Sequence, residues 1–162
     1  MGLFDKLKSA VQAVTGGAAK VTIEYPQNLV QPGQAIPVKV TATSTGGAVK
    51  SKGCYVDLWA AEEVNVQNAH PTHVHGASGG DIHVDVHQTE STFQQAIQIA
   101  PAFELAPNES KVFTGQVTIP GQAQPSFSGK LAKHEWKIRG RIDTFGNDPD
   151  SGYLVFRVGL SQ

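Results

Sequence analysis

The sequence predicts an all-β protein, an antiparallel two-sheet sandwich preceded by one short amphipathic helix. Three observations carry this expectation. From Lys20 onward the apolar residues recur at every second position, the period of half-buried strands. The 162 residues include 17 Gly and 9 Pro, clustered between the alternating runs as short strands joined by tight turns require. No helical pattern separates one strand from the next, which argues against a doubly wound α/β fold, whose parallel strands need helical crossovers.

Taken in chain order, the first segment is helical. Leu3, Leu7, Val11 and Val14 recur at helical spacing and fall on one face, Phe4 extends that face at its edge, and Asp5, Lys6, Lys8, Ser9 and Gln12 lie elsewhere. Gly16-Gly17 ends the helix and acts as a linker. The expected organisation is therefore helix and linker over residues 1–17 and a sandwich domain over 18–162. A helix this short is marginal alone in water, so its stripe needs something to lie against. A docking or self-association contact ranks first, packing on the same chain second and a membrane surface last, because Asp5 offsets Lys6 and Lys8.

Strands follow. Val21, Ile23 and Tyr25 alternate with Thr22 and Glu24; Pro26 to Gly33 supplies a turn; Ile36, Val38 and Val40 alternate with Pro37, Lys39 and Thr41. After Gly46-Gly47 the run Cys54 to Trp59 is apolar enough on both parities for a central strand, Asp57 being its odd member. Further strands are expected at Asp81 to Gln88, Ser91 to Ile99, Ser110 to Ile119, Lys130 to Asp143 and Gly152 to Val158. In the Lys130 to Asp143 strand, Trp136, Ile138 and Ile142 should face the core and Lys137, Arg139 and Arg141 should face out. That basic stripe reads as an ordinary solvent face before it reads as a ligand surface. Glu62-Glu63 reads as a solvated strand end.

The C-terminal third carries the most distinctive pattern. Phe113-Thr114-Gly115-Gln116-Val117-Thr118-Ile119-Pro120 is followed by Pro125-Ser126-Phe127-Ser128-Gly129, then by Glu135-Trp136-Lys137-Ile138-Arg139-Gly140-Arg141-Ile142-Asp143. This resembles the arrestin-like sandwich, an immunoglobulin-like architecture, in which a strand ending in Ile-Pro leads through a Pro-Ser-aromatic turn into a long alternating strand closing on Asp. Gln31-Pro32-Gly33 before Ala35 to Thr43 also sits where that family has a Pro-Gly and an alternating strand. The resemblance covers Ala19 to Gly159 and is nearest to the bacterial sporulation-control group. Those proteins usually continue with a second sandwich, for which this chain is too short, so a single-domain relative is implied. The resemblance implies a scaffold or regulatory binding module and transfers no active site.

Composition narrows the function further. A formal charge of −1 lacks the broad positive field that nucleic-acid binding needs. The single cysteine, Cys54, rules out an internal disulfide and a cysteine-based zinc knot. No run reaches the roughly 18 apolar residues of a membrane span. Asp5, Lys6 and Lys8 interrupt any signal-peptide core, and Lys6 stands where a myristoylation signal wants Ser or Thr. The expected compartment is the cytoplasm, where the Asn108-Glu109-Ser110 sequon meets no glycosylating enzyme.

One segment could carry metal chemistry. Five of the six histidines lie between His70 and His87. Strand alternation puts His73 and His75 on one face and His83, Asp85 and His87 on one face, with Gly76 to Gly80 as a hairpin turn between them. Were the faces to coincide, imidazoles and a carboxylate would converge on one zinc, copper or nickel ion. The other readings are a solvent-facing hairpin and a surface whose charge responds to mild acid. The His-x-His pair resembles the cupin motif, but Gly79-Gly80 stands where that motif needs Glu. Gly76 to Gly80 lacks the helix start of a phosphate cradle, no Gly-x-Ser-x-Gly elbow is present, and Cys54 sits mid-strand where a thiolate is poorly stabilised. The expected function is thus a non-enzymatic binding module with a protein partner or self-association, the alternative being a small metal-binding protein or metalloenzyme.

Overall fold

The computed structural model describes residues 18–69 and 84–160. The expected helix with Leu3, Phe4, Leu7, Val11 and Val14, and the histidine positions 70, 73, 75 and 83, lie outside the described residues. Among the described residues every regular element is a strand. No helix there is long and apolar enough to cross a membrane.

Among the described residues, nine strands form two antiparallel sheets: β1 (Ala19–Glu24), β2 (Ala35–Ser44), β3 (Val49–Ala69), β4 (Val84–Ala100), β5 (Phe103–Leu105), β6 (Ser110–Thr118), β7 (Phe127–Ser128), β8 (Ala132–Thr144) and β9 (Leu154–Phe156). One sheet has the order β1-β2-β6. The other runs β4-β3-β8-β7, with β5 against the start of β3 and β9 against β8.

The core is what the alternation dictates. Val21, Ile23, Ile36, Val38, Val40 and Val117 project from the smaller sheet onto Cys54, Val56, Leu58, Trp136, Ile138 and Ile142 of the larger, all buried. Gly140 shows how close the sheets come: a Cβ there would meet Val40 Cγ2 at 2.9 Å and Ile23 Cβ at 3.2 Å. Polar atoms in this interior are satisfied. The Tyr25 hydroxyl donates to the Val155 carbonyl (3.1 Å) and Trp136 Nε1 to the Gln124 carbonyl (2.8 Å). Pro37 is tolerated within β2 because it lies beyond the end of β1, where one side of the strand has no ladder to complete.

Several expected boundaries change. Asp81 to Gln88 and Ser91 to Ile99 were expected as separate strands, but β4 runs unbroken from Val84 to Ala100. Thr89 and Glu90 do not make a turn because β3 runs on beside them, Glu62 and Glu63 pairing with Glu90 and Thr89. One of three register shifts in the β3–β4 ladder falls close by, at Thr92, where Ala60 faces Phe93 and Ala61 faces Ser91, leaving Thr92 as an extra residue. Glu62-Glu63 is correspondingly mid-strand, not a strand end. β5 and β7, of three and two residues, fall below the length at which alternation can be read.

Candidate functional site

The outer face of the larger sheet is built from the polar parity of its two central strands. In β3, Tyr55, Asp57 and Trp59 point away from the core; in β8, Lys137, Arg139 and Arg141 do the same. The antiparallel register sets Tyr55 opposite Arg141, Asp57 opposite Arg139 and Trp59 opposite Lys137. Each acid or aromatic ring therefore meets a cation. Lys137 Nζ lies 4.9 Å from the Trp59 ring centroid and the Arg141 guanidinium 4.6 Å from that of Tyr55. Tyr153, arriving from the segment before β9, receives the Arg139 guanidinium at 4.5 Å and stands 6.1 Å from Trp59.

Asp57 is the hub. It is 7% exposed, and its Oδ2 accepts from Arg139 Nη2 at 2.6 Å, Arg139 Nε at 3.1 Å and Arg141 Nε at 2.9 Å. The free ends of both guanidinium groups reach a second row of carboxylates: Arg139 Nη1 donates to Asp150 at 3.1 Å and Arg141 Nη1 to Asp148 at 3.4 Å. Backbone amides hold those acids in turn, Gly152 N on Asp150 (2.7 Å) and Thr144 N on Asp148 (3.0 Å). Burial works against the charge on Arg139, but the hydrogen bond to Asp57 and the negative charges of Asp57 and Asp150 outweigh it and push its pKa up.

The segment carrying Asp148 and Asp150 is strapped to β8 by Ile142 N to the Pro149 carbonyl (3.1 Å), Ser151 N to the Gly140 carbonyl (2.9 Å) and Gly140 N to Ser151 Oγ (3.0 Å). Between this strap and β4 lies an open recess of about 590 Å³, lined by the charged cluster, Gln94, Gln95, Asn147 and Tyr153. Three carboxylates against two guanidinium groups leave it one negative charge in excess. Beside it stands Phe145, fully exposed on the loop after β8.

The expected basic stripe is thus corrected: Arg139 and Arg141 are not an ordinary solvent face but half-buried members of an ion-pair cluster. Asp148 and Asp150 carried no signal, since loop residues have no periodicity; Tyr153 was expected within a Gly152 to Val158 strand, but β9 spans only Leu154–Phe156 and Tyr153 precedes it. The available signal was Asp57, a carboxylate in the otherwise apolar run Cys54 to Trp59.

Of the expected metal ligands, Asp85 and His87 are described. Both are exposed on the same face of β4, and His87 Nδ1 lies 4.0 Å from Glu63 Oε1. His73, His75 and His83 lie outside the described residues, and the described residues contain no group of three or more metal-ligating side chains. The sixth histidine, His134, is buried. Its Nδ1 donates to the Pro125 carbonyl (3.0 Å), and its Nε2 meets the Thr92 hydroxyl at 2.7 Å, fixing the bulge of β4 to β8. Cys54 is buried in the core, which pushes its thiol up to about 12, far from a reactive thiolate.

These features define a two-sheet antiparallel sandwich with a polar recess on its outer face, the class that the C-terminal motifs resemble. Among solved structures, the chain is similar to the crystal structure of Spo0M, a sporulation control protein from Bacillus subtilis, with a TM-score of 0.60 and 18% sequence identity. The match covers 89% of this chain and 50% of that one, so the chain spans about half the length of its structural neighbour. At this identity the likeness is one of fold. No protein-family profile matches the chain, and no curated protein matches it by sequence.

Proposed function

We propose that the chain is a non-catalytic regulatory binding module that receives a polypeptide partner on the outer face of its larger sheet. The observation that carries this reading is the recess around Asp57. Its charged groups are already bound to one another and to backbone amides, which suits a preorganised recognition surface; a general acid or base needs a carboxyl free to exchange its proton with substrate. The excess carboxylate favours a basic side chain from the partner, and the exposed ring of Phe145 offers apolar contact beside it. The fold likeness to a sporulation control protein supports a regulatory setting, and the absence of a broad positive field supports a protein partner over nucleic acid.

The test is photo-crosslinking in lysate of the source cells, from a reactive residue placed at Asn147 or, as control, at Lys20 on the opposite sheet. A partner attached from 147, not from 20, and lost in an Asp148→Ala/Asp150→Ala variant is the expected result. Equal attachment from both positions, or attachment indifferent to the double variant, overturns the reading.

A second reading, binding of zinc, copper or nickel by the histidine segment, has one observation in its favour. β3 and β4 are antiparallel partners as far as Ala69 and Val84, so residues 70–83 join adjacent strand ends, where Asp85 and His87 already share a face. Elemental analysis of untagged protein tests it. Stoichiometric metal that is lost in a His75→Ala/His87→Ala variant supports the reading, and metal-free protein after growth in supplemented medium overturns it.

A further inference from the structure

β4 is the outermost strand of the larger sheet, and among the described residues β3 is its only partner strand. Its C-terminal half is covered by the other sheet: Ile99 packs so closely on Gly115 that a Cβ there would lie 2.8 Å away. The half from Val84 to Ser91 extends beyond that cover, all of it exposed; β8 still pairs with β3 as far as Val64, and past that point β3 and β4 go on as a two-stranded arm among the described residues. Exposed edges are normally protected by Lys, Pro or inward-pointing charges. Val84–Ala100 contains no Lys, Arg or Pro, and its one carboxylate on the core-side parity, Glu90 opposite Glu62, lies outside the stretch Val84 to Gln88.

The arm also has an apolar face. Val66 is paired with Val86 and Val64 with Gln88, on the parity that faces the core further along β3. Val64 and Val66 are half-buried, while Val84 and Val86 are 41% and 38% exposed; on the other side of β3, exposed Leu131 is held by the bond from Asn65 N to its carbonyl. The opposite face carries Asp85 and His87.

We infer that two copies of the chain associate by antiparallel pairing of β4 with β4 along this edge, with the two-fold axis at Val86. The register follows from the side chains. About Val86, each Val86 meets its counterpart, each Val84 meets Gln88, and each Asp85 meets His87 of the other copy, so the two cross-strand pairs flanking the axis join an acid to an imidazole. An axis at Glu90 would instead oppose two carboxylates. The pairing supplies strand partners to both edges and joins the two apolar faces into one. It is independent of the recess, which lies nearer the other end of the larger sheet, where β3 begins and β8 ends.

Sedimentation of the full chain across micromolar to millimolar concentration tests the inference. The expected result is a reversible monomer–dimer equilibrium. Val86→Lys, which places two ammonium groups on the axis, should weaken it at least about tenfold without moving the melting temperature of the monomer. Asp85→Lys should weaken it as well, and adding His87→Glu should recover it, a rescue that a merely structural role would not give. A chain that stays monomeric throughout, a dimer indifferent to Val86→Lys and Asp85→Lys, or one that depends on residues 1–17 and not on Val86 overturns the inference.

Discussion

Replacing Asp57 by Ala leaves two guanidinium groups side by side over a sheet, with their shared acceptor gone. Breaking a buried charge pair from one side costs about 3 to 5 kcal/mol, and because Asp148 and Asp150 still hold the outer ends, the lower figure is expected for Asp57→Ala. Asp57→Asn, which keeps an acceptor oxygen, should cost less; urea unfolding of the two variants checks the order. Cys54 gives a second prediction at this scale. Burial raises its thiol from about 9 to about 12, so the folded chain favours the protonated form. The resulting stability is complete below about pH 9 and is lost as pH rises towards 12. In the native protein the thiol should resist alkylation at mildly alkaline pH and become labelled only on unfolding, as mass spectrometry would show. Both residues were visible in the sequence, Asp57 as a misfit in an apolar strand and Cys54 as mid-strand. The carboxylates that complete the cluster were not, because which loop folds back over β8 is decided by tertiary contacts and leaves no periodic trace.

At the scale of elements, period-two alternation located β1, β2, β6 and β8, because each places one face against the other sheet and must therefore be apolar at every second residue; of β3 only the run Cys54 to Trp59, apolar on both parities, was legible, and its polar continuation to Ala69 was not. It failed where that condition lapses. The arm half of β4 faces solvent on both sides and carries polar residues at Thr89 and Glu90, so it looks like a turn; β5 and β7 are too short to alternate. The alternation of β8 placed Trp136, Ile138 and Ile142 inward, as they are, but not the buried His134 on the same side, and the fate of its cations depended on knowing that β3 lies beside it. The closeness of the two sheets at Gly140 yields a test of the packing: Gly140→Val forces side-chain atoms against Val40 and Ile23, and overpacking of this kind costs about 1 to 3 kcal/mol. A lower thermal midpoint is expected, whereas Val155→Ala, at a position 52% exposed on β9, should change it little.

For the molecule as a whole, the two sheets divide the work. The smaller sheet closes the core, and the larger one presents its outer face, where cations, rings and carboxylates are locked in register across the central strands. The fold it shares with Spo0M fixes this scaffold and leaves the chemistry of the face to the particular side chains of this chain. The measurement that bears most directly on the proposed binding role is amide hydrogen exchange of the full chain, free and with the partner recovered by crosslinking from Asn147. Protection gained at residues 94–96 and 144–153, with the β1 and β2 amides unchanged, is the result expected. Protection confined to the smaller sheet, or none at the recess, would contradict it.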